Sequence, residues 1–214
     1  MIDSIMQNII QWIVFDLGGV VVKLNIDGVL EELARRSETD RNLIEGFMRA
    51  HDESGLTPDE KLHLGLLEFD DYIPMLNRML RRKLTREEII DLRMRVIQGE
   101  DEDVLEIVQA LSTRRKVACF SNTHAIHWEH MLANYRSFKF FHRTIASHLI
   151  QAAKPDPKSF TIACRELQAA PAECLLIDDL LSNAEAARAA GWNAIHFKGA
   201  AALREELQEC GICL

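Results

Sequence analysis

The stretch that decides the fold is QWIVFDLGGVVVKL, residues 11–24. Its apolar run from Trp12 to Phe15 is continuous rather than alternating, which is typical of a strand covered on both faces, as in a parallel sheet flanked by helices. The run ends abruptly at Asp16, so this strand carries one carboxylate at its tip. Two residues later stands Gly18 rather than a second acid. The segment therefore predicts a buried strand that ends in a candidate functional acid.

Three more apolar runs share this continuous character, at residues 117–120, 175–177 and 194–197. Helical patterns lie between the runs, with apolar residues at helical spacing over 104–111 and a further helix predicted within 182–190. Strands that alternate with helices indicate an α/β protein. The S-x-x-E sequence at 182–185 predicts a capping box, and Gly191 stands where a helix C-terminal glycine is expected.

Residues 25–99 differ, because they show helical periodicity without a convincing strand. Two helix starts are marked by capping-box sequences, one beginning at Thr57 and one at Thr85. We therefore predict a core domain formed by residues 1–24 and 100–214, with an inserted helical domain of residues 25–99.

The charge balance restricts the class of partner. The chain has 214 residues and a formal net charge of −8, which argues against nucleic acid, because phosphate backbones require clustered Lys and Arg. No basic residue precedes Lys23, so a signal peptide is not indicated, and no apolar run nears membrane-spanning length. We expect a cytoplasmic protein that acts on a small molecule and binds neither nucleic acid nor membrane.

Five cysteines fit a reduced, cytoplasmic chain. Cys119 and Cys174 fall in apolar runs, where a cysteine usually packs as a small hydrophobe. Cys210 and Cys213 form a C-x-x-C sequence, but no second pair or nearby histidine supports a zinc or redox role. A basic run in the helical insertion predicts a solvated face, with the alternative of a rim that attracts an anionic substrate; it comprises Arg78, Arg81, Arg82, Lys83 and Arg86.

Polar residues at the other strand ends complement Asp16. The second run gives way to Ser121 and Asn122, where the start of a helix would favour an anion. A later turn supplies the cation of Lys154 in the sequence Lys-Pro-Asp-Pro. The third run ends at Asp178 followed by another aspartate, and such a pair is costly unless a cation such as Mg²⁺ neutralises it. Ligands in open α/β sheets bind at these strand ends, so the residues form one candidate site.

These motifs, in this order, resemble the haloacid dehalogenase-like hydrolases. Phe15-Asp16-Leu17-Gly18-Gly19-Val20 is similar to the first family motif and Ser121-Asn122 to the second. Lys154-Pro155-Asp156 is similar to the third, and Asp178-Asp179 with Asn183 to the fourth. The resemblance implies a Rossmann-like, doubly wound parallel sheet with an all-α cap at residues 25–99.

The resemblance also implies roles for these residues. Asp16 would be the nucleophile that forms an aspartyl phosphate, and Lys154 would assist catalysis and, with Ser121 and Asn122, bind the phosphate. Mg²⁺ would be held by Asp16, Asp178 and Asp179 together with the Gly18 backbone carbonyl. Asn183 is expected to hold a loop or a helix start. The predicted activity is Mg²⁺-dependent hydrolysis of a small phosphorylated metabolite.

Gly18 departs from the family pattern, because phosphatases of the family usually place a second aspartate there as general acid and base. A missing acid or base costs roughly 10² to 10⁴ in rate. We therefore expect slow turnover and substrates with good leaving groups, such as sugar 1-phosphates, aryl phosphates or acyl phosphates. The motifs resemble those of bacterial α-glucose-1-phosphate phosphatases. Two alternatives remain: a catalytically impaired phosphate-binding protein and, with less support, a 2-haloacid dehalogenase.

Three histidines follow the second motif, at His124, His127 and His130. Their three-residue steps rotate the first and third apart on a helix, so a shared metal site is not expected. Either His124 or His127 reaches the pocket, or all three are helix-start and surface residues while Trp128 packs into the core.

Overall fold

A computed structural model describes residues 10–214 as an α/β fold. Seven strands are present in this range: β1 (Trp12–Phe15), β2 (Val22–Leu24), β3 (Ile97–Glu100), β4 (Lys116–Ser121), β5 (Arg143–Ala146), β6 (Cys174–Asp178) and β7 (Asn193–His196). Five of them form a parallel sheet in the order β5-β4-β1-β6-β7, and β2 pairs with β3 in an antiparallel ribbon. The predicted α/β sheet is therefore confirmed.

The helices fall into two groups. The first group lies between β2 and β3: α1 (Ile26–Ser37), α2 (Arg41–Arg49), α3 (Pro58–His63), α4 (Phe69–Met79) and α5 (Arg86–Met94). The second group follows β3, with its members lying between the later strands and after β7: α6 (Glu102–Ser112), α7 (Ala125–Asn134), α8 (Ser147–Ile150), α9 (Pro157–Leu167), α10 (Leu181–Ala189) and α11 (Ala200–Glu209). Thr57 and Thr85 form the predicted capping boxes of α3 and α5.

Both faces of the sheet are covered, which explains the continuous hydrophobicity of its strands. Alternate β1 side chains belong to different clusters: Ile13 and Phe15 pack with α6, α7 and α11, whereas Trp12 and Val14 pack with α9 and α10. A period of two residues along a strand places neighbours on opposite faces. The doubly wound arrangement follows from this burial on two sides.

The α1–α5 group has a hydrophobic cluster of its own, built around Leu33, Ile44, Tyr72 and Leu76. Both chain crossings between this group, which we call the cap, and the sheet run through the β2–β3 ribbon, where Val22 pairs with Glu100. The cap is therefore attached along one edge, beside the C-terminal end of β1.

The structure differs from the sequence predictions at three places. Strand β3 begins at Ile97, inside the segment expected to lack strands. Strand β5 was not predicted, because its first two residues, Arg143 and Thr144, are exposed and interrupt the apolar pattern. Ser182 does not cap a helix, since α10 already begins at Leu181. The predicted glycine at the end of α10 is confirmed, with Gly191 at φ 86°.

Residues 1–9, which the sequence assigns to the core domain, lie outside the described residues. Within residues 10–214, no helix has the length and apolar character needed to cross a membrane.

Candidate active site

The sheet topology brings the predicted strand-end residues together. Strand β1 lies between β4 and β6, with Phe15 in register with Cys119 on one side and Ile177 on the other. Asp16 and Asp178 therefore reach the same edge from neighbouring parallel strands. The strand order reverses around β1, and such a switch point forms a crevice at the carboxyl ends of the strands.

Lys154 is the cation of this crevice. Its Nζ lies 3.0 Å from Asp16 Oδ1 and 2.6 Å from Asp178 Oδ2, and it donates to the Phe120 carbonyl at 2.7 Å. The Lys154 side chain is fully buried in the turn between α8 and α9. A buried ammonium is stable only when it is paired, so these contacts fix its position between the two acids.

Asp178 is held rigidly by neighbours on α10. Its Oδ1 accepts from the Leu180 backbone N–H at 3.0 Å and from the Asn183 side-chain amide at 3.0 Å. The carboxylate therefore accepts hydrogen bonds from the residue before α10 and from a side chain in its first turn, although no side chain caps the backbone N–H groups of this helix. The sequence placed Asn183 at a helix start, and the structure adds a direct contact with the site.

Asp179 lies against the backbone of Gly19. An added Cβ at Gly19 would come within 2.2 Å of Asp179 Oδ2, and Gly19 has φ 78°. Both the close approach and the left-handed backbone require glycine at this position. Gly19 thus allows the side chain of Asp179 to enter the site.

Three carboxylates share this crevice with one lysine. One carboxylate oxygen from each of Asp16, Asp178 and Asp179 lies within 4.8 Å of the others. Burial raises the pKa of Asp16 to about 7, Lys154 opposes that rise, and Asp178 adds to it. Burial and the charge of Asp178 also raise the pKa of Asp179.

This charge imbalance fits a hard divalent cation. Oxygen ligands arranged around a small space are those that Mg²⁺ prefers, and a dication would relieve the repulsion among the acids. Burial lowers the pKa of Lys154, but Asp16 and Asp178 outweigh it and the net shift is upward. Lys154 therefore remains charged, and one positive charge still leaves the acid cluster negative.

Ser121 and Asn122 lie at the end of β4, on the other side of Asp16. Both line the cavity between the sheet and the cap. The Asn122 side chain also forms a reciprocal pair with the Lys154 backbone, donating to its carbonyl at 2.7 Å and accepting from its N–H at 2.9 Å. Asn122 thereby ties the lysine-bearing turn to β4.

Gly18 has no acidic side chain, and its surroundings are apolar. An added Cβ at Gly18 would lie 3.1 Å from Leu24 Cδ1, so the Leu24 side chain occupies the neighbouring space. Gly18 is not in the left-handed region, which leaves its backbone compatible with other residues. The position of the missing acid is therefore packed by an apolar residue of β2.

The structure decides between the two positions that the sequence left open for the histidines, the pocket and the surface. His124 precedes α7, is 3% exposed, and lines the cavity together with His127. His127 Nε2 lies 2.7 Å from the Arg93 carbonyl of the cap. His130 does not line the cavity, and Trp128 packs in the core as predicted. Two histidines therefore reach the pocket, whereas the sequence left both outcomes open.

The other flagged residues lie away from the site. Every member of the basic run is exposed, and the run pairs with Glu88 through Arg82 and with Asp70 through Arg86. Within the described residues, the run does not line the cavity beside Asp16. Cys119 and Cys174 are buried, as the sequence predicts. These outcomes support the solvated-face interpretation of the basic residues.

Comparison with known proteins identifies the family. The model of the haloacid dehalogenase-like hydrolases matches residues 10–191. The α/β core with strand-end acids thus defines a hydrolase of this class. The chain belongs to the haloacid dehalogenase-like hydrolase family.

Individual relatives agree with that assignment. The chain is 23% identical over 201 residues to D-ribitol-5-phosphate phosphatase of Bacteroides thetaiotaomicron, covering 91% of this chain and 95% of that protein. A crystal structure of the family enzyme BT-2542 from the same organism, in complex with magnesium and inorganic phosphate, has a TM-score of 0.77 at 22% identity and covers 88% and 94% of the two chains. L-2-haloacid dehalogenase of Xanthobacter autotrophicus superposes with a TM-score of 0.62 at 17% identity, covering 96% and 85%.

Proposed function

We propose that this protein is a Mg²⁺-dependent phosphatase that hydrolyses a small phosphorylated metabolite through an aspartyl-phosphate intermediate. The observation that carries the proposal is the placement of Lys154 Nζ between Asp16, at 3.0 Å, and Asp178, at 2.6 Å. The similarity to a ribitol-phosphate phosphatase and the magnesium and phosphate in the BT-2542 structure support the same chemistry.

Asp16 acts as the nucleophile in this proposal. One of its carboxylate oxygens forms a bond to phosphorus while the bond from phosphorus to the leaving oxygen breaks, and the leaving oxygen keeps that electron pair. Water then attacks the phosphorus, the bond to Asp16 breaks, and orthophosphate leaves while one proton passes to solvent. The carboxylate is regenerated.

The neighbouring residues supply charge and position. Lys154 and Ser121 bind the transferring phosphoryl oxygens, and Asn122 holds the Lys154 turn while contributing to the same phosphate site. Asp16, Asp178, Asp179 and the Gly18 carbonyl would hold Mg²⁺. The bound metal would neutralise the carboxylates and the developing phosphoryl charge.

The absence of an acid at Gly18 determines which substrates are efficient. A substrate whose leaving oxygen needs no proton can be hydrolysed with glycine at this position. For the phosphate ester of an ordinary alcohol, the loss of general acid and base catalysis lowers the rate by roughly 10² to 10⁴. We infer a preference for substrates with good leaving groups, namely sugar 1-phosphates, aryl phosphates and acyl phosphates. The resemblance to α-glucose-1-phosphate phosphatases stays a prediction.

Gly18 also supports a second candidate function, a catalytically impaired phosphate-binding protein. That function would keep the phosphate and metal sites but lose turnover. A dehalogenase has less support, because three clustered carboxylates favour a metal that the family's dehalogenases do not need.

The two candidates differ in Mg²⁺-dependent release of orthophosphate. A panel of sugar, aryl, acyl and simple alkyl phosphates should show release, fastest for the good leaving groups, and Asp16→Asn should abolish it. Turnover that survives Asp16→Asn would refute the covalent mechanism. Phosphate binding without turnover of any substrate would favour the impaired protein, and equal rates for aryl and alkyl phosphates would contradict the leaving-group argument.

A further inference from the structure

A cavity of about 230 Å³ lies between the strand ends and the cap. Its walls are mainly aliphatic, and they include Leu30 and Leu33 of α1, Leu76 of α4 and Leu92 of α5. Ser121 and Asn122 of the phosphate site line the same space. The part of a substrate that lies beyond the phosphate therefore enters this cavity, and its chemistry must match these walls.

The charged residues of the cavity are already paired with one another. Arg93 forms an ion pair with Asp59, and its guanidinium lies 4.7 Å from the centre of the Tyr72 ring. Arg93 and Asp59 therefore offer few free polar contacts to a polyol. A sugar that entered would lose hydrogen bonds to water without replacing them, and each buried unpaired polar group is costly.

His124 and Tyr72 are the exceptions, because the two imidazole nitrogens and the Tyr72 hydroxyl are buried without a hydrogen-bond partner within residues 10–214. Both ring nitrogens lack a hydrogen bond within residues 10–214, although the residue is only 3% exposed. The imidazole stacks with the rings of His63 and Phe69, at centroid distances of 5.9 Å and 6.1 Å, and the tilted His127 ring lies 4.1 Å away. Buried polar groups are nearly always hydrogen bonded, so an unpaired imidazole beside a cavity indicates a ligand contact.

The state of His124 defines what it can bind. Burial lowers its pKa, and the neighbouring His127 and Arg93 lower it further, so the ring is neutral. A neutral imidazole has one donor and one acceptor. It suits a hydroxyl group on the ligand and gives no preference for a second anionic group.

Leu24 extends the apolar wall to Gly18, two residues after the proposed nucleophile. Its side chain fills the space beside Gly18, where a general acid would otherwise stand. A substrate in this cavity thus meets hydrocarbon next to its leaving oxygen and receives no proton there. The leaving oxygen must therefore depart as a stable anion.

We propose that the cavity binds the aromatic leaving group of an aryl phosphate, with the ring against the aliphatic walls and a ring hydroxyl hydrogen bonded to His124. This inference rests on the proposed phosphatase function and narrows its substrate class. A phenolate can leave without a proton donor, so hydrolysis of an aryl phosphate does not require the general acid that is missing at Gly18. The cavity volume of about 230 Å³ exceeds the roughly 150 Å³ of an apolar cavity that accommodates benzene.

Four substrates separate the leaving-group effect from the cavity effect: 3-hydroxyphenyl phosphate, phenyl phosphate, acetyl phosphate and α-glucose 1-phosphate. Acetyl phosphate has a good leaving group but no ring. We expect kcat/KM for the aryl phosphates to exceed that for acetyl phosphate by at least about tenfold, because the ring buries apolar surface. The ring hydroxyl should add about 3- to 10-fold, as one hydrogen bond does.

A variant isolates the contact with His124. His124→Phe keeps an aromatic ring beside His63 and Phe69 but removes the nitrogens, so it should abolish the preference for 3-hydroxyphenyl over phenyl phosphate. His51→Phe, at an exposed cap position, should retain that preference. If His124→Phe does not fold, equal rates for the two aryl phosphates on the native protein would still refute the contact between the ring hydroxyl and His124.

Direct binding separates this inference from the proposed function. Calorimetry with resorcinol, phenol and glucose, in the presence of Mg²⁺ and orthophosphate, should show binding of resorcinol above phenol and none of glucose. Resorcinol binding without hydrolysis of any phosphate would support the cavity assignment and refute the phosphatase function. Asp16-dependent hydrolysis that is fastest for glucose 1-phosphate, or glucose binding above resorcinol, would overturn the inference and leave the phosphatase function intact.

Discussion

Lys154 Nζ lies 3.0 Å from Asp16 Oδ1, although 138 positions of chain numbering separate the two residues. The contact also reaches Asp178, so one ammonium serves two acids on adjacent strands. This relationship makes Lys154 the residue on which the charge balance of the site depends.

Replacement of Lys154 by Met should therefore lower kcat/KM by at least about 100-fold, because a preorganised positive charge beside the phosphoryl group is lost. The buried acids would also lose their partner, which should destabilise the protein by roughly 3–5 kcal/mol in the absence of metal. Steady-state kinetics and urea unfolding measure the two effects. Lys158→Met, at an exposed position four residues later, should change neither quantity. Native-like kinetics of Lys154→Met would exclude a role in the reaction.

Asn183→Ala should weaken Mg²⁺ binding, because the amide that orients Asp178 Oδ1 would be absent. Loss of such an outer contact typically costs about 10- to 100-fold in metal affinity. The apparent Mg²⁺ constant for activity is the measurement. Asn134→Ala removes another asparagine hydrogen bond, to the His130 carbonyl at the exposed C-terminal end of α7, and serves as the control. An unchanged Mg²⁺ constant in Asn183→Ala would show that Asp178 keeps its position without this contact.

Gly19→Ala and Gly55→Ala form a matched pair, with φ of 78° and 73° respectively. Both substitutions place a β-carbon in the left-handed region, which costs about 1–2 kcal/mol. Only at Gly19 would the new carbon meet Asp179 Oδ2, at 2.2 Å, whereas nothing lies within 4 Å at Gly55. Both variants should lose stability in chemical unfolding, but only Gly19→Ala should also lose Mg²⁺ affinity. Equal metal affinity in the two variants would contradict a metal-site role for Asp179.

Gly18→Asp should increase hydrolysis of alkyl phosphates if it restores a general acid. Leu24 crowds the new side chain, with Cδ1 3.1 Å from the added Cβ, so the double variant with Leu24→Ala should respond more strongly. The expected gain for the double variant is about 10² in kcat, the lower end of general acid–base help. Gly18→Asn with Leu24→Ala has the same shape but no acid and should show no gain. A gain of equal size in the Asn variant would attribute the effect to space rather than to proton transfer.

Stability should fall in mild acid because two histidines are buried in the neutral form. Burial lowers the pKa of His127 to about 4, from 6.5, and lowers the pKa of His124 as well. Below the ordinary value, the unfolded chain binds protons that the folded chain does not. The free energy of unfolding should therefore decrease with falling pH, by up to about 1.4 kcal/mol per pH unit for each histidine.

Urea unfolding across this range measures the slope. His127→Gln can still donate to the Arg93 carbonyl but cannot titrate, so it should reduce the slope between pH 6.5 and about 4, while the contribution of His124 remains. His51→Gln, at an exposed position, should retain the native slope. A native slope in His127→Gln would assign the acid sensitivity to other groups.

The strand ends could be predicted because each follows a continuous apolar run, and parallel strands bring such ends to one edge. Asp16, Ser121 and Asp178 illustrate this, and the resemblance to the family adds the turn that carries Lys154. The sequence predicts only that Asn183 lies at a loop or a helix start. Its contact with Asp178 could not be predicted, because that contact depends on where α10 begins.

Other features depend on tertiary packing and left no local signal. Strand β5 begins with two exposed residues, so its pattern resembles a loop. The contact of Leu24 with Gly18 joins residues of β2 and of the motif turn, and no periodicity indicates it. The cavity combines side chains from α1, α4 and α5 with the end of β4, so its apolar character could not be read from any one segment.

The β2–β3 ribbon has a consequence for how this protein can diversify. The chain leaves the sheet beside Gly18 through β2 and returns through β3. These two strands pair with each other, Val22 with Glu100. The five cap helices therefore form one segment inserted into the α/β core at a single position. Their cavity-facing side chains can be exchanged to accept new leaving groups, while the acids at the strand ends and Lys154 in its turn, to which we assign the proposed phosphoryl chemistry, stay in place.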